Sequence, residues 1–257
     1  MPYKLSVMVL GLLMLGYAAL CALLYFKQRD MIYFPSATTV PAASTDFSLT
    51  HQGLTLRGWK LNPGKAKALI YFGGNAERLE SSRDQFTRLF PEQTIYLLSY
   101  RGYGASDGKP TETALFGDAL ALYDAVHEQH PQADIALIGR SLGSGVASYL
   151  ASQRPVKKLA LVTPFDSLAE VAQSHYRWLP ARWLVTDAYA SRRYLRNYAG
   201  RLLILRAGRD QVIPPGNTDR LIASLQRPAS VVAFPLADHN DISLDPRYGQ
   251  ALRDFLR

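Results

Sequence analysis

The pattern Gly-x-Ser-x-Gly occurs twice in the chain, as Gly104-Ala-Ser106-Asp-Gly108 and Gly139-Arg-Ser141-Leu-Gly143. A serine hydroxyl becomes a useful nucleophile only when a base within hydrogen-bond reach takes its proton. The two glycines let a sharp turn carrying that serine approach neighbouring strands, provided a strand runs into the turn and a helix starts just after it. Ser141 has both: Ile135 to Ile138 is a short apolar run, and Leu142 opens a stretch of small residues suited to a close-packed helix. Ser106 has neither, lying in the Gly- and Pro-rich loop Arg101 to Pro110. The context assigns the nucleophile to Ser141.

The base must be one of five histidines. His51, His127 and His130 fall at element ends, and His175 lies in an aromatic helical stretch. His239, in Ala237-Asp-His-Asn-Asp241, follows the apolar run that ends at Phe234 and precedes the last helix. A histidine base needs a carboxylate to hold its tautomer and to stabilise the imidazolium. Asp210 follows the apolar run Leu202 to Leu205 and is the expected partner. Asp166 is the rival, while Asp238 and Asp241 are too close in sequence to orient His239 easily. Developing negative charge on an attacked carbonyl calls for two backbone N–H donors. These are expected from Leu142, next to the nucleophile, and from Asn75 in Phe72-Gly-Gly-Asn-Ala76, with Gly74 as second choice.

Such residues need a frame. Leu54 to Leu61 alternates like a half-exposed strand. Apolar runs at 68–72, 94–98, 135–138, 159–162, 202–205 and 230–234 fit buried strands of a mostly parallel sheet. Helical patterns at 77–89, 112–129, 142–152, 217–225 and 246–257 alternate with them, which predicts a doubly wound α/β sheet. Residues 167–199 hold helical, aromatic-rich sequence with no strand and are expected to form a helical cap inserted in a 47–257 catalytic domain.

The N-terminus adds a different element. No charge interrupts Leu5 to Phe26, and about 33 Å of helix suffices to cross a hydrocarbon core. A transmembrane anchor over 5–26 is therefore expected, followed by a linker over 27–46. The rival is a cleaved signal peptide, but no clean small-x-small cleavage site follows. Lys4 and the amine roughly balance Lys27 and Arg29, so flanking charge barely orients the helix; a signal-anchor favours an extracytoplasmic domain. The single cysteine, Cys21, permits no internal disulfide. The formal charge of +8 is spread along the chain with no run of five or six basic residues, and no nucleic-acid-binding motif accompanies it. The densest basic region, Arg177 to Arg209, is interleaved with Trp and Tyr, as suits anionic headgroups or acidic ligands.

Tyr71-Phe-Gly-Gly-Asn-Ala76, Tyr100-Arg-Gly-Tyr-Gly104, Gly139-Arg-Ser-Leu-Gly143, Thr163-Pro-Phe-Asp-Ser167, Asp210-Gln-Val-Ile-Pro214 and His239-Asn-Asp241 occur in one order. Together they resemble the membrane-anchored α/β-hydrolase family of bud-emergence-type proteins, related to lysophospholipid hydrolases and protein depalmitoylases. The resemblance implies the α/β-hydrolase fold and an acyl-enzyme mechanism on esters or thioesters, with lipid or acyl substrates and no metal or organic cofactor. One departure stands out: similar proteins often carry His-Gly-Asn where this chain has Gly73-Gly74-Asn75. A serine peptidase would use the same three residues, and a non-catalytic scaffold would share the fold. Oligomeric state is not legible.

Overall fold

The computed structural model describes residues 2–257. A helix α1 (Pro2–Ile32) leads through two 3-10 turns, Pro35–Thr38 and Ala42–Ser44, into the strand β1 (Phe47–His51). There follow β2 (Leu54–Leu61), β3 (Lys67–Phe72), α2 (Leu79–Leu89), β4 (Gln93–Leu98), α3 (Glu112–Gln129), β5 (Ile135–Arg140) and α4 (Leu142–Gln153). After β6 (Lys158–Val162) come the short helices α5 (Leu168–His175), α6 (Ala181–Leu184) and α7 (Ser191–Tyr194). The chain ends with β7 (Arg201–Ala207), α8 (Pro215–Ala223), β8 (Ser230–Phe234) and α9 (Pro246–Leu256).

Among the described residues eight strands form one sheet, in the order β1-β2-β4-β3-β5-β6-β7-β8. The pairs β1/β2 and β2/β4 are antiparallel and all others parallel. The inner strands are apolar along their middles because both faces are covered there. On one face Ile70, Leu137, Leu159 and Ile204 pack with Leu122 and Val126 of α3 and with Val146 and Leu150 of α4. Residues one step along, Leu69, Ile138, Ala160 and Leu205, point the other way, toward Phe86 of α2 and Leu252 and Phe255 of α9. After β3 the chain places β4 on one side and then β5 on the other. The ends of β3 and β5 therefore flank the point where strand order reverses, where an open α/β sheet offers a crevice for ligands.

Two features differ from the sequence expectation. The strand β1 was not foreseen. Its alternation of half-buried Phe47 and Leu49 with exposed Ser48 and Thr50 is weak because it lies at a sheet edge. Its hairpin turn, Gln52-Gly53, has positive φ at both residues (52° and 74°), as a two-residue turn of the right twist requires. The second feature is the stretch 27–46. Its first residues continue α1 to Ile32, since Lys27, Gln28 and Arg29 are ordinary helix formers. The remainder packs on the domain instead of hanging free: Tyr33 is buried, Val40 N donates to Gly104 O at 3.3 Å, and Trp59 Nε1 donates to Ser44 O at 2.7 Å.

The helices of 167–199 lie between β6 and β7 and are held from two sides. From α1, Gln28 Nε2 donates to Leu184 O and Gln28 Oε1 accepts from Thr186 N, while Arg29 and Tyr33 meet the buried Asp187. From α3, Glu112 accepts N–H bonds from Ala188 and Tyr189 (2.8 Å each) and a hydroxyl from Tyr194 (3.2 Å). Burial raises the Glu112 pKa, although those bonds favour its charged form. Glu112→Gln leaves one of these donors facing an amide NH₂. It should destabilise the chain by about 1–3 kcal/mol in urea unfolding.

Candidate active site

The strand β5 delivers Ser141 to the rim of the sheet, and α4 starts at the next residue. Ser141 sits at φ 52°, ψ −119°, a conformation a non-glycine residue holds only when its surroundings enforce it. They do: Ser141 N donates to Val162 O at 2.9 Å, and Ser144 returns its N–H and hydroxyl to Ser141 O at 2.8 and 2.6 Å. Gly143 explains the second glycine of the motif. A Cβ there would collide with the carbonyl oxygens of Phe72 and Gly73, so any side chain would force α4 off β3.

His239 bridges the other two expected residues. Its Nε2 lies 2.9 Å from Ser141 Oγ and its Nδ1 lies 2.7 Å from Asp210 Oδ2. All three are buried. The remaining Asp210 oxygen accepts N–H bonds from Val212 and Ile213, which fixes the carboxylate. A carboxylate accepting from Nδ1–H leaves Nε2 free to accept the serine proton. The flanking aspartates brace the loop. Asp238 Oδ1 accepts from His239 N and Gln211 N, which lowers its pKa, and Asp241 Oδ1 accepts from Asp238 N.

The turn after β3 faces the serine: a Cβ on Gly74 would lie 3.7 Å from Ser141 Cβ. Gly74 N donates to Glu77 Oε2 at 2.8 Å, so the second-choice amide is already engaged. The Asn75 side chain is tied to Ile32 O at 3.0 Å, and the amides of Asn75 and Leu142 donate to no other described residue.

Residues 67–193 match the family model described as alpha/beta hydrolase fold. An uncharacterised protein of Mycobacterium tuberculosis, MT2364, is 34% identical over 262 residues, covering 97% of this chain and 92% of that protein. Protein bem46 of Schizosaccharomyces pombe is 26% identical, covering 91% of this chain and 87% of that protein. The chain belongs to the bud-emergence-type α/β-hydrolase family. Lysophosphatidylserine lipase ABHD12 of Danio rerio is 32% identical over 167 residues, 57% of this chain and 44% of that protein. Among solved structures, Est1E from Butyrivibrio proteoclasticus, with ferulic acid bound, superposes with a TM-score of 0.68 at 16% identity, over 82% of this chain and 98% of that one. The chain is thus a hydrolase with the α/β-hydrolase fold.

In this hydrolase the rival residues have other work. Ser106 Oγ donates to Ser99 O at 2.9 Å and accepts from Arg57 N, closing a loop against β2. Asp166 is locked by Arg220 Nε (2.6 Å), Asn217 Nδ2 (2.9 Å) and its neighbour's N–H. His51 pairs with Asp118, His130 with the Tyr96 hydroxyl, and His175 Nε2 lies 3.0 Å from Val212 O.

Two residues of the site escaped the sequence reading, Glu77 and Arg140. Besides Gly74 N, Glu77 accepts from the Tyr71 hydroxyl at 2.7 Å and from Arg140 at 3.2 Å. Arg140 also donates to His239 O at 3.2 Å. The pair ties the turn after β3 to the end of β5 and to the His239 loop. Gly73 lies against the same turn. A Cβ there would meet Leu79 Cδ2 at 2.7 Å and the Glu77 carboxylate at 3.3 Å, so a histidine would require these two side chains to shift. Glu77→Ala should lower kcat about 10- to 100-fold with little change in KM, measured on a soluble ester, because the turn loses its fixed position.

Beside Ser141 opens an apolar cavity of ≈ 240 Å³. The cap supplies Leu168, Val171, Tyr176 and Leu184 to its wall. The opposite wall comes from α1, through Leu24, Gln28, Met31 and Ile32.

Proposed function

We propose that this protein is a membrane-anchored serine hydrolase that cleaves carboxylic ester or thioester bonds of acyl or lipid substrates. The observation that carries this reading is the His239 ring, within hydrogen-bond distance of both Ser141 and Asp210, with Ser141 itself in the wall of a mostly apolar cavity. Ser141 Oγ attacks the acyl carbonyl as His239 takes its proton, and Asp210 stabilises the imidazolium. The amides of Leu142 and Asn75 receive the oxyanion. His239 then protonates the leaving alcohol or thiol, and water, activated by the same ring, releases the acid. An apolar cavity with few polar groups suits an acyl chain, and the lipase among the relatives agrees with it. The anchor is α1, which is long and apolar enough to cross a membrane.

The test is fluorophosphonate labelling of the full chain in detergent, followed by p-nitrophenyl esters of increasing acyl length. Labelling and ester turnover that survive in Ser106→Ala and vanish in Ser141→Ala support the proposal. A folded wild-type protein that neither labels nor turns over any ester would sink it.

A further inference from the structure

The apolar run of α1, Leu5 to Phe26, corresponds to about 33 Å of helix, against a hydrocarbon core of about 30 Å. The catalytic domain meets α1 well before that run ends. Tyr17 Oη donates to the carbonyl of Trp178 in the cap at 2.9 Å, and Leu20, Cys21 and Leu24 are half-buried along the same stripe. From Leu5 to Tyr17 there is only about 18 Å of helix, and any tilt shortens its projection on the membrane normal. With Leu5 at one face of the core, Trp178 comes to lie about 12 Å inside the other. Lifting it clear would drag charged Lys4 and the N-terminal amine into the hydrocarbon.

The cap surface at this level is built for such a place. Tyr176, Trp178 and Trp183 are 42%, 62% and 82% exposed, and Trp183 belongs to α6, which packs against α1. Indole and phenol rings favour the membrane interface, where an apolar body and a polar tip are both accommodated. Arg177 and Arg182, next in sequence to the two tryptophans, are exposed, and although Arg182 also meets Glu170 at 3.3 Å, both can reach lipid phosphates. The cavity beside Ser141 reaches Leu24, inside the apolar run, so its wall continues into the membrane-spanning part of the helix.

We infer that the cap dips into the membrane beside α1, with Trp178 and Trp183 among the lipid chains and the neighbouring arginines reaching back to the headgroups, so that the cavity takes its acyl substrate sideways from the bilayer. This placement rests on the anchored-hydrolase reading above. It makes α1 a wall of the acyl site as well as an anchor, and the substrate an acyl ester already held in a membrane.

The three tryptophans allow a direct test, because Trp59 is buried in the domain and serves as an internal reference. The full chain is reconstituted into phosphatidylcholine nanodiscs, with and without bromine on the lipid acyl chains, and its tryptophan emission compared. The expected result is a loss of about half the emission on bromination, since two of the three rings sit in lipid. That loss should disappear in the double variant Trp178→Phe, Trp183→Phe. A protein that resists carbonate extraction yet shows no bromine quenching overturns this placement alone. A protein that carbonate strips from the membrane overturns the anchor and the placement together. Neither result depends on ester turnover.

Discussion

Ser141→Ala should reduce kcat/KM on any ester by about 10⁴- to 10⁶-fold and abolish fluorophosphonate labelling. The change removes one oxygen from a position the fold works to hold, at φ 52° with hydrogen bonds from Ser144 and to Val162. Alanine relieves no steric demand there, since the strain is in the backbone, so Tm should scarcely move. That separation of activity from stability is the signature to look for: a drop in both would indicate a damaged fold. Ser106→Ala predicts the opposite pattern. It removes a loop hydrogen bond to Ser99 O and should cost about 0.5–1.5 kcal/mol while leaving labelling intact.

Asp210→Asn should lower kcat by about 10⁴-fold, because an amide facing Nδ1 favours the tautomer that puts the proton on Nε2, against the serine. The 2.7 Å contact of Asp210 with His239 is what makes that tautomer matter. Asp166→Asn is the informative companion. Asp166 is 1% exposed and also sits after a strand, but its oxygens are spent on Arg220, Asn217 and Ser167 N. Losing one buried acceptor should cost about 1–3 kcal/mol of stability with kcat nearly unchanged. Single-turnover kinetics and urea unfolding on the two variants would separate the proposed catalytic carboxylate from the structural one. Equal losses of kcat in both would refute the assignment of roles.

The sequence by itself determined a good deal here. Apolar runs marked the inner strands because burial on both faces favours apolar residues along their middles, and Leu54–Leu61 and Glu112–Gln129 were delimited to the residue. Ser141, Asp210 and His239 were legible because each follows a strand at the same end of a parallel sheet. Strand ends are visible in sequence, and a parallel sheet turns them into neighbours in space. Edge strand β1 was not legible, since a ribbon half-open to water needs only Phe47 and Leu49 as buried positions.

Tertiary structure alone decided what fills the gaps between those elements. Glu77 and Arg140 read as an ordinary helix-start acid and a variable motif position. Their role arises only when β3, β5 and the His239 loop converge and leave buried charges that must pair. Asp210 and Asp166 likewise differ only in three dimensions: one carboxylate points at the His239 ring, and the other is already saturated with donors. The largest surprise lies in α1. Its composition makes it long and apolar enough to cross a membrane, and nothing in its residues shows that Leu24, Gln28, Met31 and Ile32 wall the cavity beside Ser141. A protein beginning at residue 35 would lack that wall. Hydropathy reports what a helix side chain avoids, and only packing reports what it touches.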